Sequence, residues 1–117
     1  MDTHAAANRW RQTWARGWHG HEPADILSLY AEGAYFRSHP FREPQEPADY
    51  VVPTLAAEAW ADCSFEEPIV DGDRAAVEWR AETSLKDGGK ETLAGVSLLR
   101  FDGDGLVVEH RDFWASA

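Results

Sequence analysis

The sequence predicts an α+β domain in which a curved antiparallel sheet wraps around three helices from the first half of the chain. Helix-type apolar spacing occurs in that first half, and strand-type runs joined by short Asp/Gly turns fill the second half. Because helices that precede an antiparallel meander pack on one of its faces, we expect a cavity that opens at one end of the sheet. The 117 residues are interpreted as one domain, residues 1–117.

The first predicted helix covers residues 3–19. Asp2 or Thr3 can cap its start, and Gly20 occupies the position where a left-handed residue commonly ends a helix. Three tryptophans recur every four residues and therefore share one stripe: Trp10, Trp14 and Trp18. At least two of the three are expected to be core residues.

Two more helices and a short strand complete the first half. Pro23 suits the first turn of a helix over residues 23–31, and a strand follows over residues 34–38. Three prolines between residues 40 and 47 indicate a stiff connection. The third helix is predicted over residues 48–61, and Pro53 should kink it or delay its start.

Four strands form the predicted meander of the second half. They cover residues 64–70, 74–85, 91–101 and 106–114, and Pro68 interrupts the first. The connecting turns contain glycine next to aspartate or a second glycine, which is typical of hairpins.

The composition excludes several classes of partner. The formal net charge is −10, whereas nucleic acids and anionic membranes are bound by basic surfaces. We find no signal-peptide pattern and no apolar run near the ~20 residues of a membrane span. The lone cysteine, Cys63, cannot form an internal disulfide, which fits a cytoplasmic location. Cys63 is interpreted as a small buried hydrophobe rather than a nucleophile.

The last predicted strand carries the strongest indication of a site. Its alternation places His110, Asp112 and Trp114 on one face. A histidine, a carboxylate and an indole in a row fit a pocket wall better than a packed core. The opposite face carries Glu109, Arg111 and Phe113.

The strand over residues 74–85 has one apolar and one charged face. Its apolar face includes Trp79, and its charged face includes Arg80 and Glu82. The residues alone favour Trp79 in the core and the charges in solvent, because buried charges must be paired.

The chain resembles the nuclear transport factor 2-like cone fold. The order of predicted elements matches that fold, and residues 29–36 (LYAEGAYF) resemble its passage from second helix to first strand. Residues 38–44 (SHPFREP) and 109–114 (EHRDFW) are similar to SnoaL-like members of bacterial origin. The resemblance implies a cone-shaped sheet with a pocket for a small molecule. It does not select a function, since such folds serve many activities.

Steroid isomerases of this fold suggest one set of site residues. Their aspartate base, which precedes a proline at the end of the first strand, corresponds to His39 before Pro40. Their two oxyanion-binding groups, a tyrosine and a protonated aspartate, correspond to Trp14 and Ser97. All three groups are therefore replaced, although a histidine can still transfer protons.

Limonene-epoxide hydrolases of this fold suggest a second set. Their Asp-Arg-Asp set corresponds to Arg80, Glu82 and Asp112, while their water-holding tyrosine and asparagine correspond to Phe36 and Ser38. This comparison reverses the expectation for the charged face and turns Arg80 and Glu82 into the pocket. Trp79 would then lie on the outer sheet face, which a homodimer would cover.

Three functions follow from these comparisons. The first is a cofactor-independent isomerase, cyclase or hydrolase that acts on an apolar small molecule by acid–base chemistry. The second is a binding protein without turnover, and the third is a dimeric scaffold whose cone is filled by its own tryptophans. The expected catalytic residues are His39, Asp112, Arg80 and Glu82. The expected ligand-binding residues are Trp14, Phe36, Trp60, Ser97, His110 and Trp114. No metal site is expected, because no residue pair has the spacing of a zinc motif.

Overall fold

The structure, a computed structural model, describes all residues from Met1 to Ala117 and consists of three helices and one six-stranded sheet. The helices are α1 (Thr3–His19), α2 (Pro23–Leu27) and α3 (Pro47–Ala57). The strands are β1 (Tyr30–Arg37), β2 (Glu58–Phe65), β3 (Ile69–Asp71), β4 (Arg74–Leu85), β5 (Lys90–Phe101) and β6 (Val107–Ser116). The sheet is curved and unclosed, so the predicted α+β cone is confirmed.

Helix α1 has the predicted bounds. The Asp2 side chain caps it by accepting a hydrogen bond from the Ala5 amide at 2.8 Å. Gly20 is not left-handed as predicted, since its φ is −85°. His21 has a positive φ of 54° instead, so the left-handed residue that follows the helix comes one position later than predicted. No helix combines the length and apolarity needed to cross a membrane.

Helix α2 is shorter than predicted, and β1 is longer. The helix ends at Leu27, and Tyr30 already belongs to β1. The register of β1 shifts between Tyr30 and Tyr35, where Gly33 adopts a φ of 73°. A residue with positive φ lets the strand bulge and continue, so the glycine lies inside the strand rather than ahead of it.

The third helix also ends earlier than predicted. Pro47 occupies its first turn, where the missing N–H costs nothing, and Pro53 lies inside it. Glu58 has extended dihedral angles and begins β2, so the prediction of helix up to residue 61 is wrong. Trp60 therefore lies on a strand.

The order of strands along the sheet is β1-β6-β5-β4-β2, and β3 pairs with β4. All neighbours are antiparallel except β1 and β6, which run parallel, so the expectation of a purely antiparallel sheet is wrong in this one pair. The parallel pair places Phe36 opposite His110. The first strand of the chain is thereby paired with the last.

Alternation along each long strand separates a buried inner face from an exposed outer face. The inner face of β4 carries Val77 and Trp79, which pack in the same core as the α1 tryptophans. Facing residues of β5 and β6 on the inner side include Ser97 and Asp112, which are register partners. The inner face and α1 thus bring polar and aromatic groups together.

Candidate functional site

A cavity of about 180 Å³ lies between the inner sheet face and helices α1 and α3. Nine of its sixteen lining residues are hydrophobic, so its wall is mainly apolar. Its tryptophans are Trp10, Trp14, Trp18, Trp79 and Trp114. The tryptophan stripe of α1 is therefore both core and cavity wall.

Tyr30 begins a chain of buried hydrogen bonds. Trp10 and Trp14 both donate their indole N–H to its hydroxyl oxygen, at 3.2 and 2.9 Å. Burial raises the pKa of Tyr30, so the hydroxyl keeps its proton. Since the oxygen already accepts twice, this proton is directed at His110 Nδ1, 2.7 Å away. His110 Nδ1 is therefore an acceptor, and the ring proton resides on Nε2.

The chain ends at Asp112. His110 Nε2 donates to Asp112 Oδ1 at 2.6 Å, and Ser97 Oγ donates to the same oxygen at 2.5 Å. The Trp79 indole donates in turn to Ser97 Oγ at 3.1 Å. The second carboxylate oxygen, Oδ2, accepts no hydrogen bond from the protein, and Asp112 lines the cavity. The donors thus converge on Oδ1 and leave Oδ2 for a ligand.

Glu58 is a second carboxylate of the cavity wall. Its residue is only 4% exposed, and its carboxylate accepts one hydrogen bond, from the Trp18 indole at 2.8 Å. None of the ion pairs of the protein involves it. Burial is the largest cause that raises the pKa of this carboxyl, because desolvation disfavours the charged form.

The rim of the cavity is built from the segment after β1. Arg42 donates to Ser38 Oγ at 3.1 Å, and its guanidinium lies 5.3 Å from the centroid of the Trp114 ring. The Trp114 indole donates to the Ser38 carbonyl at 2.6 Å. Burial, followed by the Asp112 charge, raises the pKa of Tyr50, so its phenol remains a hydrogen-bond donor beside the carboxylate.

Comparison with known families classifies the chain. Residues 11–110 match the SnoaL-like domain. The chain belongs to the SnoaL-like domain family. Asp112 and Trp114 lie just beyond the matched range. The chain has no sequence match among curated proteins.

Solved structures similar to this SnoaL-like domain share its fold at low sequence identity. The epoxide hydrolase/cyclase-like enzyme SalBIII, which acts in pyran ring formation in the polyether salinomycin, is 16% identical with a TM-score of 0.83, covering 97% of this chain and 93% of SalBIII. RV0760c from Mycobacterium tuberculosis, in complex with estradiol-17beta-hemisuccinate, is 19% identical with a TM-score of 0.76, covering 94% of each chain. A ketosteroid isomerase-like fold protein from Catenulispora acidiphila, in complex with trimethylamine, is 17% identical with a TM-score of 0.74, covering 87% of this chain and 82% of its own.

Five of the predicted site residues line the cavity of this SnoaL-like domain. They are Trp14, Ser97, His110, Asp112 and Trp114. The expectation that Trp14 and Ser97 donate to a ligand does not fit the contacts, because their protons go to Tyr30 and Asp112.

Three other predicted residues do not line the cavity. Phe36 is fully buried behind His110, with ring centroids 4.4 Å apart, so it supports the imidazole from within the core. Trp60 is 47% exposed, because β2 turns it to the outside. His39 packs edge-on against the Trp114 ring at 4.7 Å, and its Nδ1 accepts from the Phe41 amide. His39 therefore supports the rim.

The placement of Arg80 and Glu82 inside the pocket is wrong. Both side chains are exposed on the outer face of β4, and Trp79 is only 6% exposed on the inner face. Burial of Trp79 and Val77 stabilises the fold, whereas burial of an unpaired charged face would destabilise it, so the apolar face of β4 turns inward. The charged set of the epoxide-hydrolase comparison is consequently not assembled around Asp112.

Sequence reasoning missed Tyr30, Tyr50 and Glu58 as site residues. The sequence predicts both Tyr30 and Glu58 inside helices, whereas Tyr30 begins β1 and Glu58 begins β2. A single signal was available for Glu58, since a carboxylate between apolar residues after a helix is unusual. Tyr30 carried no signal, because its partner His110 is 80 residues away in sequence.

Proposed function

We propose that this protein, acting as one domain over residues 1–117, binds a largely apolar small molecule in the cone and transfers a proton to or from it. The observation that carries the proposal is the directed hydrogen-bond chain that ends at Asp112 Oδ1 in an aromatic cavity. No cofactor has a part in the proposed chemistry.

Asp112 is the proposed base. Its Oδ1 is held by His110 and Ser97, which fixes the carboxylate in one orientation. Its Oδ2 can then accept a proton from a bound ligand and return it at a neighbouring atom. Preorganisation of this kind matters because proton transfer depends steeply on geometry. Tyr50 and Arg42 provide hydrogen-bond donors in the same cavity.

The experiment begins with a thermal-shift screen of apolar metabolites, since a ligand that binds the folded state raises its stability. Turnover of the ligands found is then measured for the unaltered protein, Asp112→Asn and Glu82→Gln. We expect Asp112→Asn to reduce turnover by roughly 10²-fold or more. Glu82→Gln is the matched control, because it removes a carboxylate from the outer face. Equal turnover in all three proteins rejects Asp112 as the base.

His39→Ala tests the assignment that the steroid-isomerase comparison suggests. Because His39 packs on Trp114 outside the cavity lining, we expect a modest effect on ligand affinity and little on the chemical step. A loss of turnover as large as that of Asp112→Asn would restore His39 as the base.

Ligand binding without turnover is the second candidate. It is favoured by the commitment of Trp14 and Ser97 to internal acceptors, which leaves no indole or serine donor for a developing oxyanion. The structurally similar proteins from Mycobacterium tuberculosis and Catenulispora acidiphila are bound to small molecules. Ligands found in the screen without any product formation would select this candidate.

We further propose a homodimer in a bacterial cytoplasm. The sequence-based reason for the dimer is an outer face formed by Trp79, Val77 and Phe113, and it is wrong for Trp79 and Val77, because both are buried inside. The outer face nevertheless exposes Leu98 and Phe113, at 37% and 38%. The proposed cytoplasmic location is supported by Cys63, which is a free thiol, because a reducing compartment keeps thiols unpaired.

A further inference from the structure

The charges that line the cavity are unbalanced. Three carboxylates belong to the lining, the buried ones of Glu58 and Asp112 and the exposed one of Glu91, against one permanently charged cation, Arg42. Arg42 is engaged by Ser38 and by the Trp114 ring at the rim. His110 is engaged within the hydrogen-bond chain, where its Nδ1 accepts from Tyr30 and its Nε2 donates to Asp112. The lining of the cavity therefore has more acidic than basic side chains.

Glu58 shows this excess most clearly. It is 4% exposed, it belongs to none of the ion pairs, and a single indole N–H is its hydrogen-bond partner. Desolvation of a buried carboxylate is costly unless cations or hydrogen-bond donors compensate it. Here the Trp18 hydrogen bond and the charge of His21 lower the pKa of the Glu58 carboxyl by less than burial raises it. Asp112, in contrast, accepts from two side chains on one oxygen. Glu58 thus lacks the compensation that the protein gives to Asp112.

The indole N–H groups of the cavity wall are all used within the protein. Trp10 and Trp14 donate to Tyr30, while Trp18, Trp79 and Trp114 donate to Glu58, Ser97 and the Ser38 carbonyl. The tryptophans can therefore offer a ligand only their rings. The face of an indole ring carries negative quadrupolar charge and attracts cations.

The indole that binds Glu58 belongs to a cluster of indole rings. Trp18, which holds the carboxylate, packs edge-on against Trp14 at 5.8 Å and against Trp79 at 6.0 Å between ring centroids. A carboxylate at the edge of an indole cluster can offer a cation both an ion pair and cation–π attraction. Trp18, Trp79 and Ser97 connect Glu58 to Asp112, so the two carboxylates belong to different parts of one cavity.

We infer that the ligand of the cone is an organic cation, a protonated or quaternary amine whose ammonium group lies against Glu58 and the indole rings while its apolar body extends toward Asp112. This inference rests on the proposed function, because it assumes that the cone holds a small molecule. It adds the chemical class of that molecule. The cavity volume of about 180 Å³ limits it to a compact amine.

The test compares choline with 3,3-dimethylbutan-1-ol, which has the same shape and a carbon in place of the charged nitrogen. Binding of each probe is measured by calorimetry and by quenching of tryptophan fluorescence. We expect choline to bind at least roughly tenfold more tightly to the unaltered protein. Glu58→Gln should remove most of this preference and leave the affinity for the alcohol unchanged.

Glu82→Gln is the matched control, since it removes the same charge from the outer face. It should keep the preference for choline. The comparison of probes on the unaltered protein also holds if Glu58→Gln folds poorly. Equal binding of both probes, or binding of neither, overturns the cation inference. A preference that survives in Glu58→Gln overturns the role of Glu58. The metabolite screen is independent of these outcomes, so neutral ligands found there would keep the proposed function.

Discussion

Ionisation of Glu58 opposes folding, because burial disfavours the charged form of its carboxyl. Burial is the largest influence on the pKa of this carboxyl and raises it. The Trp18 hydrogen bond and the charge of His21 lower the pKa, and the charge of Glu91 raises it. A carboxyl whose pKa is higher in the folded state contributes stability below its unfolded pKa of about 4.3. That contribution is lost as the pH rises through the folded pKa, because the unfolded state ionises first.

The pH dependence of unfolding tests this placement of Glu58. We expect the free energy of unfolding of the unaltered protein to fall, relative to Glu58→Gln, as the pH rises from about 4 toward neutrality. Urea denaturation of both proteins at several pH values measures the difference. A difference that stays constant with pH would show that the Glu58 carboxyl is solvated in the folded protein.

Cys63 is expected to be a slow nucleophile in the folded state. Burial first, and then the charges of Asp62 and Glu58, raise its pKa to about 11. At pH 8 this lowers the thiolate fraction on the order of a hundredfold relative to an unperturbed cysteine. Reaction with a disulfide reagent should therefore be slow in buffer and fast in denaturant. Equally fast reaction in both conditions would contradict the burial of the thiol.

At the scale of elements, β5 depends on the absence of a side chain at Gly95. This residue lies on the inner face between Trp79 of β4 and Trp114 of β6, which are its register partners. A Cβ atom there would lie 2.6 Å from the Trp114 Cβ and would also overlap the Phe113 carbonyl. Both atoms belong to β6 and cannot move without shifting the strand, so an added methyl group would clash with them.

Gly95→Ala should consequently destabilise the protein by about 1–3 kcal/mol, as overpacked core positions do. Gly103→Ala is the control, because nothing lies within 4 Å of its added Cβ and its φ is not in the left-handed region. Thermal denaturation of the two variants measures the contrast. Equal melting temperatures would mean that β5 and β6 separate easily at this point.

The elements that the sequence predicts well are those with long, regular periodicity. The bounds of α1 and β4 are as predicted, and the inner face of β6 is correct, because each pattern repeats over several turns or residue pairs. The faces of β4 were also clear from its residues. The error at Arg80 and Glu82 came from aligning them with distant relatives, where a shift of one residue exchanges the two faces.

The elements predicted poorly lie at junctions. Residues 55–60 are rich in alanine and read as a continuing helix, yet β2 begins at Glu58 because pairing with β4 outweighs helix propensity. The same competition ends α2 before Tyr30, which pairs with β6 in the sheet. Tertiary pairing of this kind leaves no periodic pattern in the sequence, so the strand starts at Tyr30 and Glu58 were not predictable from spacing. The one local signal was the carboxylate of Glu58 among apolar residues.

At the scale of the whole molecule, the outer sheet face determines the predicted assembly. Leu98 and Phe113 are exposed there, flanked by the ion pairs that link Glu109 to Arg100 and Arg111. An apolar strip with a polar rim is typical of a protein interface. Sedimentation should give twice the chain mass of 13.1 kDa, and Leu98→Glu should give the single mass.

Phe41→Ser provides the control for that prediction. Phe41 is 94% exposed on the loop after β1, so its replacement removes an exposed aromatic ring without touching the sheet. The dimer should persist in this variant. The mass of a single chain, measured for the unaltered protein at micromolar concentration, would refute the dimer.

The parallel pairing of β1 with β6 has a consequence for folding during synthesis on the ribosome. Chains emerge from the ribosome from the N-terminus onward, and contacts between distant segments form late. The hydrogen bond between Tyr30 and His110 spans 80 residues, and Asp112 follows two residues later. A nascent chain that has not reached β6 therefore has an unpaired β1 edge and no proposed base. The proposed ligand site is complete only when β6 has left the exit tunnel, and until then both β1 and β5 are open to mispairing with neighbouring chains.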